Sequence, residues 1–220
     1  MCDRNSAIES YRMMLMFGIC VLHALCIKDH RWAVYSLLFL VDAFVFITGY
    51  YGVTLTSRRL PSLSINVVYC LLVASIFNKV FYGEDILKTM LTIWSTMWFV
   101  HAYVLFFISF AFAPLGLARY NSPIAVIMDF ASFTIFNSLR LPDWFSKRLI
   151  FIGPLLFSVY LLHSNETVGF RIIRAIIEWC NTGVTGCFVA AASVFVGCII
   201  LDIPRRVICS GIAMKCYKRA

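Results

Sequence analysis

The sequence predicts an all-α, polytopic transmembrane helix bundle that forms one integral-membrane domain over residues 1–220. Of the 220 residues, 61% are hydrophobic and only 14% are charged, which is typical of an integral membrane protein and not of a soluble domain. The apolar residues form about seven runs of roughly membrane-crossing length, and most charged residues lie in the short gaps between them.

The positive charge of the chain lies mainly in these gaps. Lys and Arg number 19 and Asp and Glu 11, which gives a net charge of +8. Basic gaps between membrane helices lie in the cytoplasm under the positive-inside rule, so the pattern predicts a lipid bilayer as partner and no nucleic acid. The nine cysteines form no Cys-x-x-Cys pair. The sequence therefore predicts neither a disulfide framework nor a metal site.

The first apolar run carries two polar residues, Arg12 and His23. The 15 residues 13–27 would span only about 22 Å, short of the roughly 30 Å hydrocarbon core, so the helix must include Arg12. Eleven positions correspond to about 20° beyond three helical turns, which places both residues on one face. Either this face is functional, or Arg12 reaches the headgroups and His23 bonds to another helix. The run lacks an Ala-x-Ala-like site, which predicts an uncleaved first span.

The second run, residues 32–57, contains a single acidic residue, Asp42, about 15 Å deep. A carboxylate at this depth needs a partner, and His23 and Arg12 on the antiparallel first helix are the candidates. The alternative is a hydrogen bond to a hydroxyl group such as that of Thr48. The run ends at a basic pair, residues 58–59, which places this gap and the N-terminus in the cytoplasm.

The next runs predict a topology that becomes inconsistent after residue 118. Residues 60–78 return the chain to the outside, and residues 89–118 lead back to Arg119. The run at 120–139 has basic residues on both sides, although one helix must place its two ends on opposite sides of the membrane. Three explanations remain open: the segment is re-entrant or interfacial, the charge rule fails, or an odd number of spans is missing here.

The last part of the chain predicts two spans around an interfacial helix. The run at 149–165 carries His163 to the outer half of the membrane. In residues 166–178, Arg171, Arg174 and Glu178 lie within an arc of about 60°, which predicts an amphipathic interfacial helix. The final run, residues 179–201, leads to a basic tail that belongs in the cytoplasm.

Four sequence blocks, in this order, resemble the acyltransferase 3 family, bacterial membrane O-acyltransferases that decorate cell-surface polysaccharides. The blocks are Arg12 with His23, residues 42–50 (DAFVFITGY), residues 98–103 (WFVHAY) and residues 160–163 (YLLH). Residues 5–117 resemble the N-terminal portion of the family and residues 124–205 its C-terminal portion. Family members are longer, so the resemblance implies an internal deletion near residues 119–123, which would also explain the inconsistent topology.

The resemblance implies transfer of an acyl group, such as acetyl, from cytoplasmic acyl-CoA to a hydroxyl of a cell-surface polysaccharide or its lipid-linked precursor, in the inner (plasma) membrane. His23 would act as general base, Asp42 would orient it, and Arg12 would contact donor phosphates or the developing oxyanion. Arg58 and Arg59 would bind donor phosphates or simply anchor the topology. The implied substrate contacts are His163, Asn165, Glu166, Tyr50 and Trp98. Acyl-CoA is a substrate here, and no bound cofactor is implied.

Two other functions remain open. A shortened chain that has lost the helices enclosing the site would be catalytically inactive, and a homodimer would then cover the polar residues left exposed. A transporter would use the intramembrane Arg, His and Asp as a proton relay. Convergence of Arg12, His23 and Asp42 on one cavity open to the cytoplasm would favour the enzyme, whereas their separation or exposure to lipid would favour the inactive form. Transport without consumption of acyl-CoA would identify a transporter.

Overall fold

The computed structural model describes residues 5–50, 59–96, 123–163, 168–180 and 183–217, and these residues form helices and turns but no strand. The helices are, in chain order, α1 (Ser6–Ile27), α2 (Arg31–Leu37), α3 (Phe39–Tyr50), α4 (Arg59–Tyr82), α5 (Ile86–Thr96), α6 (Pro123–Ser138), α7 (Asp143–Ile152), a 3₁₀ turn (Gly153–Leu155), α8 (Leu156–His163), α9 (Gly169–Cys180) and α10 (Gly183–Tyr217). The prediction of an all-α fold is confirmed for this part of the chain.

Four segments within the described ranges are long and apolar enough to cross a membrane. They are Ser6–Ile27, Ser64–Tyr82, Asp143–His163 and Gly183–Val207. The prediction of about seven segments is not confirmed. The runs at 32–57 and 120–139 are represented by shorter helices, and most of the run at 89–118 lies outside the described residues.

The two runs that form these shorter helices differ from each other. Only Leu38 separates α2 from α3, and its dihedral angles, φ −58° and ψ −34°, are themselves helical. The second predicted run is therefore helical throughout its described part. Helix α6 has 16 residues, and at about 1.5 Å per residue its length of roughly 24 Å is less than the hydrocarbon core, which is compatible with a re-entrant or interfacial segment.

Helix α1 lies at the centre of the bundle and packs against α10, α2, α3 and the α6 to α9 region. Cys20 and Ala24 are fully buried, as are Cys187 and Ala190 on α10. Small side chains allow two membrane helices to approach closely, and here the Cys187 thiol donates to the Ala24 carbonyl oxygen at 3.6 Å. This hydrogen bond joins two residues that are 163 positions apart in the sequence.

The opposite end of α1 packs against α3 and α6. Tyr11 and Leu15 of α1 are buried against Ala43 and Ile47 of α3. The Tyr11 ring also stacks on Phe136 of α6, with the ring centroids 4.5 Å apart. The two contacts together hold α3 and α6 beside the first half of α1.

The turn after α1 is tight, since only three residues separate α1 from α2. Asn5 caps the start of α1, its side chain accepting from the Ala7 backbone N–H. At the other end Asp29 adopts a φ of 55°, and its carboxylate accepts from the Arg31 guanidinium at 2.9 Å. This hydrogen bond raises the pKa of Arg31, which is fully exposed.

Helix α9 has the amphipathic character predicted for residues 166–178. Ile173 and Ile177 are buried against the bundle, whereas Arg174 and Glu178 are exposed. The last apolar run begins at Gly183 and not at residue 179, because Trp179, 85% exposed, belongs to α9.

Candidate functional site

Two histidines that are far apart in the sequence meet between α1 and α8. The ring centroids of His23 and His163 lie 5.2 Å apart, with an angle of 55° between the ring planes. His163 is the last residue of α8 and is completely buried. The structure therefore brings together a residue that the sequence predicted as catalytic and one that it predicted to contact substrate.

Hydrogen bonding fixes the state of the His163 ring. Its Nδ1 lies 2.7 Å from the carbonyl oxygen of Val159. A carbonyl oxygen only accepts, so Nδ1 must carry the proton, and Nε2 of the neutral ring must carry a lone pair. Nε2 is buried without a hydrogen-bond partner among the described residues. The pair therefore presents an unused acceptor beside His23.

The start of α9 covers this histidine pair. The Phe170 ring meets His23 edge-on, with the ring centroids 5.1 Å apart. Gly169 precedes it, and a Cβ at that position would lie 2.6 Å from the Leu162 carbonyl oxygen and would also overlap the carbonyl group of His163. Only glycine allows α9 to begin this close to the end of α8, so the close cover of His23 depends on Gly169.

Arg12 lies towards the other end of α1 and forms an ion pair with Glu9, its nitrogen 3.4 Å from the carboxylate oxygen. Glu9 is 4% exposed and packs against Gly153 of the 3₁₀ turn. Glu9 was not among the site residues predicted from the sequence. The signal that could have found it is the three-residue spacing from Arg12, which places both side chains on one helical face.

Asp42 lies near Asp129 of α6 and not with the other two predicted catalytic residues. Asp129 is 4% exposed and lies within electrostatic range of Asp42. Among the described residues, neither Arg12 nor His23 forms an ion pair with Asp42. The expected pairing is thus absent. The physical reason is that Ala43 fills the face of α3 towards α1, and Asp42 is turned about 100° from it.

The structure gives limited information on the other predicted site residues. Tyr50 is the last residue of α3 and Arg59 the first residue of α4, and only their backbone positions are described. The remaining four lie outside the described residues, namely Arg58, Trp98, Asn165 and Glu166.

A buried ion pair within α10 was not anticipated. Asp202 is completely buried and accepts two hydrogen bonds from Arg205, at 2.6 and 2.7 Å. The sequence had suggested Arg205 as part of a solvated basic tail. The helix continues through this position, and Arg205 is only 7% exposed. Within the described ranges, no group of three or more His, Cys, Asp or Glu residues is arranged to hold a metal ion.

No family model, curated protein or solved structure matches this chain. Its function must therefore be inferred from its own residues.

Proposed function

We propose that the chain is a membrane-bound O-acyltransferase that moves an acyl group, such as acetyl, from cytoplasmic acyl-CoA to a hydroxyl of a cell-surface polysaccharide or its lipid-linked precursor. The observation that supports this is the contact between His23 and His163, at 5.2 Å between ring centroids. These two histidines belong to the first and the last of the four blocks that resemble the acyltransferase 3 family.

In the proposed reaction His23 acts as the general base. A neutral imidazole can take the proton of the acceptor hydroxyl as its oxygen attacks the thioester carbonyl carbon. The carbon–sulfur bond then breaks, the acyl group remains on the acceptor oxygen, and the proton passes from His23 to the departing CoA sulfur. Atoms and charge balance without a further reactant.

His163, and not Asp42, is the proposed partner that orients this base. Because His163 Nδ1 donates to Val159, its Nε2 can accept a hydrogen bond from one nitrogen of His23 after a rotation of the His23 ring. The second nitrogen of His23 then keeps its lone pair for the acceptor hydroxyl. Hydrogen bonds of this kind are often longer before substrate binds.

Arg12 is assigned to the phosphates of the donor. Arg12 and His23 are 11 residues apart in one helix, so roughly 16 Å of axial rise separates them. A small acyl group at His23 cannot also contact a guanidinium at this distance. Stabilisation of the oxyanion by Arg12 is therefore disfavoured, and recognition of the charged end of a long donor is favoured.

An acetyl-transfer assay with variant proteins tests the proposal. The protein is purified in detergent and given radiolabelled acetyl-CoA with a lipid-linked or polysaccharide acceptor fraction. His23→Ala is expected to lower the transfer rate by about 10²–10⁴-fold, which is the usual contribution of a general base. His163→Ala is expected to lower it less, because the base remains. His30→Ala, in the turn before α2, is the matched control and should retain full activity. Full transfer by His23→Ala would exclude His23 as the base.

The second candidate is a catalytically inactive, shortened member of the same family. The contacts of the three predicted catalytic residues favour it, because Arg12 pairs with Glu9, His23 contacts His163, and Asp42 lies near Asp129. In that case the wild-type protein would be monodisperse and thermally stable but would transfer no label above the His23→Ala background.

A further inference from the structure

An apolar cavity lies between the membrane-spanning parts of α4 and α10, and Leu162 and Gly169, which flank the histidine pair, also line it. It has a volume of about 130 Å³ and is lined on its two long sides by Val73 and Phe77 of α4 and by Val194 and Cys198 of α10. The start of α9 closes one end through Ile172. At the opposite end, the Tyr69 hydroxyl of α4 donates to the Leu201 carbonyl oxygen of α10 at 2.6 Å.

The residues that line the cavity are almost entirely apolar and therefore do not favour a polar ligand. The single hydroxyl group among them, that of Ser193, donates to the Val189 carbonyl oxygen at 2.8 Å and is satisfied within its own helix. Water needs two to four polar partners to occupy a cavity, whereas an apolar cavity of roughly 150 Å³ stays dry and can bind a molecule such as benzene. The cavity therefore suits a hydrocarbon segment and excludes a sugar, a phosphate or a nucleotide.

A glycine creates part of this space. Gly197 of α10 lines the cavity, and a Cβ built at this position would have no heavy atom within 4 Å. The open space beside Gly197 is a second observation that supports the cavity, because it follows from the backbone geometry at Gly197 alone. A methyl group at this position would therefore occupy space beside Gly197 without contacting another residue.

The cavity is continuous with the surface that these helices present to lipid. Leu201 lines the cavity and is also 46% exposed, and its neighbour Ile200 is 58% exposed. On α4, Leu72 and Ile76 are exposed beside the lining residues Val73 and Phe77. Because α4 and α10 are both long and apolar enough to span a membrane, large exposed apolar side chains on them face hydrocarbon.

We propose that this cavity binds a short segment of one acyl chain of a bilayer phospholipid, which enters sideways between α4 and α10. The depth of the site is set by the absent side chain of Gly197, and its end by the Tyr69–Leu201 hydrogen bond. Binding of this lipid requires no acyl transfer.

Photochemical cross-linking tests the proposal. The protein is reconstituted in vesicles of phosphatidylcholine that carry a small fraction of the same lipid with a diazirine in one acyl chain. After illumination, peptide mass spectrometry locates the adducts. The informative residue is Ala74, which lines the cavity and is only 1% exposed, so a chain that merely slides over the outer surface does not reach it. Ile200 reports surface lipid.

The expected result is an adduct at Ala74 in the wild type, its loss in Gly197→Leu, and an unchanged adduct at Ile200. Gly183→Leu is the matched control, since Gly183 also has no heavy atom within 4 Å of a Cβ but lies at the start of α10, away from the cavity. It should retain the Ala74 adduct. An absent Ala74 adduct in the wild type, or one that persists in folded Gly197→Leu, overturns the proposal.

A second measurement applies if Gly197→Leu does not fold. Gly197→Ala and the wild type are compared in detergent for the rise in melting temperature on addition of phosphatidylcholine. The rise should be smaller in Gly197→Ala, and equal rises in both proteins would also overturn the proposal.

Discussion

Gly153 determines how closely the 3₁₀ turn approaches the first turns of α1. Its φ is negative, so glycine is needed there for space and not for backbone conformation. A Cβ at Gly153 would overlap the Glu9 carboxylate, 2.7 Å from its Cδ. The turn thus covers a buried carboxylate that also binds Arg12. Through Glu9, Gly153 therefore influences the position of Arg12, a predicted catalytic residue.

Gly153→Ala is expected to destabilise the protein by about 1–3 kcal/mol, the usual effect of overpacking a filled site. Thermal unfolding in detergent, followed by size exclusion, measures the change. Gly183→Ala is the control. A Cβ at Gly183 would have no heavy atom within 4 Å, so this variant should have the same stability as the parent protein. The double variant Gly153→Ala with Glu9→Ala should recover part of the loss. A Gly153→Ala protein as stable as the parent would show that Glu9 moves aside freely.

The residues of the histidine pair were recognisable in the sequence, whereas their contact was not. Arg12, His23 and Asp42 could be identified because polar residues in apolar runs are rare. Which of them meet depends on the rotation of each helix about its axis. Ala43, and not Asp42, faces α1, and a shift of one residue rotates a side chain by about 100°. Composition does not encode that rotation.

At the scale of the helices, a hydrogen bond joins α4 to α10 close to an ion pair within α10. Asp202 and Arg205 are one helical turn apart and both are buried. Close by, Tyr69 of α4 bonds to the Leu201 carbonyl oxygen. A charge in such a position is tolerated only with its counter-charge. The ion pair therefore makes this part of α10 sensitive to the loss of either residue.

Arg205→Met is expected to lower the free energy of unfolding by about 3–5 kcal/mol, because Asp202 then remains buried and unpaired. The double variant Asp202→Leu with Arg205→Met should be clearly more stable than Arg205→Met alone, since neither charge is left. Chemical unfolding of the purified proteins provides the comparison. Equal destabilisation in the single and double variants would mean that Arg205 acts mainly through its other contacts.

Helix prediction worked best where a pattern repeats along the chain. Charged residues on one face of 166–178 predicted an amphipathic helix, and α9 covers Gly169–Cys180. The start of α10 was placed four residues too early because residues 179–182 are apolar or uncharged. Hydropathy does not detect a change in direction between two helices when no charge marks it.

At the scale of the whole molecule, four segments in the described ranges are long and apolar enough to cross a membrane. The predicted seven depended on counting apolar runs, and a run does not show whether its helix is long enough to cross. The all-helical class followed from composition alone. Helix α1 packs against most of the other helices in the described part of the chain, which the sequence alone did not predict.

The charge pattern predicts that both termini lie in the cytoplasm. Reporter fusions at each end of the chain, one active only in the cytoplasm and one active only on the opposite side of the membrane, measure this in cells. Both fusions should give the cytoplasmic signal. Signals from opposite sides would show that an odd number of segments crosses the membrane, which would revise the interpretation of residues 119–148.

The bond between Cys187 and Ala24 also has a consequence for biosynthesis. Because 163 positions separate the two residues, a ribosome adding about 5–20 residues per second needs roughly 8–33 s to make the later one after the earlier. During that interval α1, with its guanidinium and imidazole, lacks its neighbour α10. The synthesis of α10, and not that of α1, therefore sets the earliest moment at which the bundle can close.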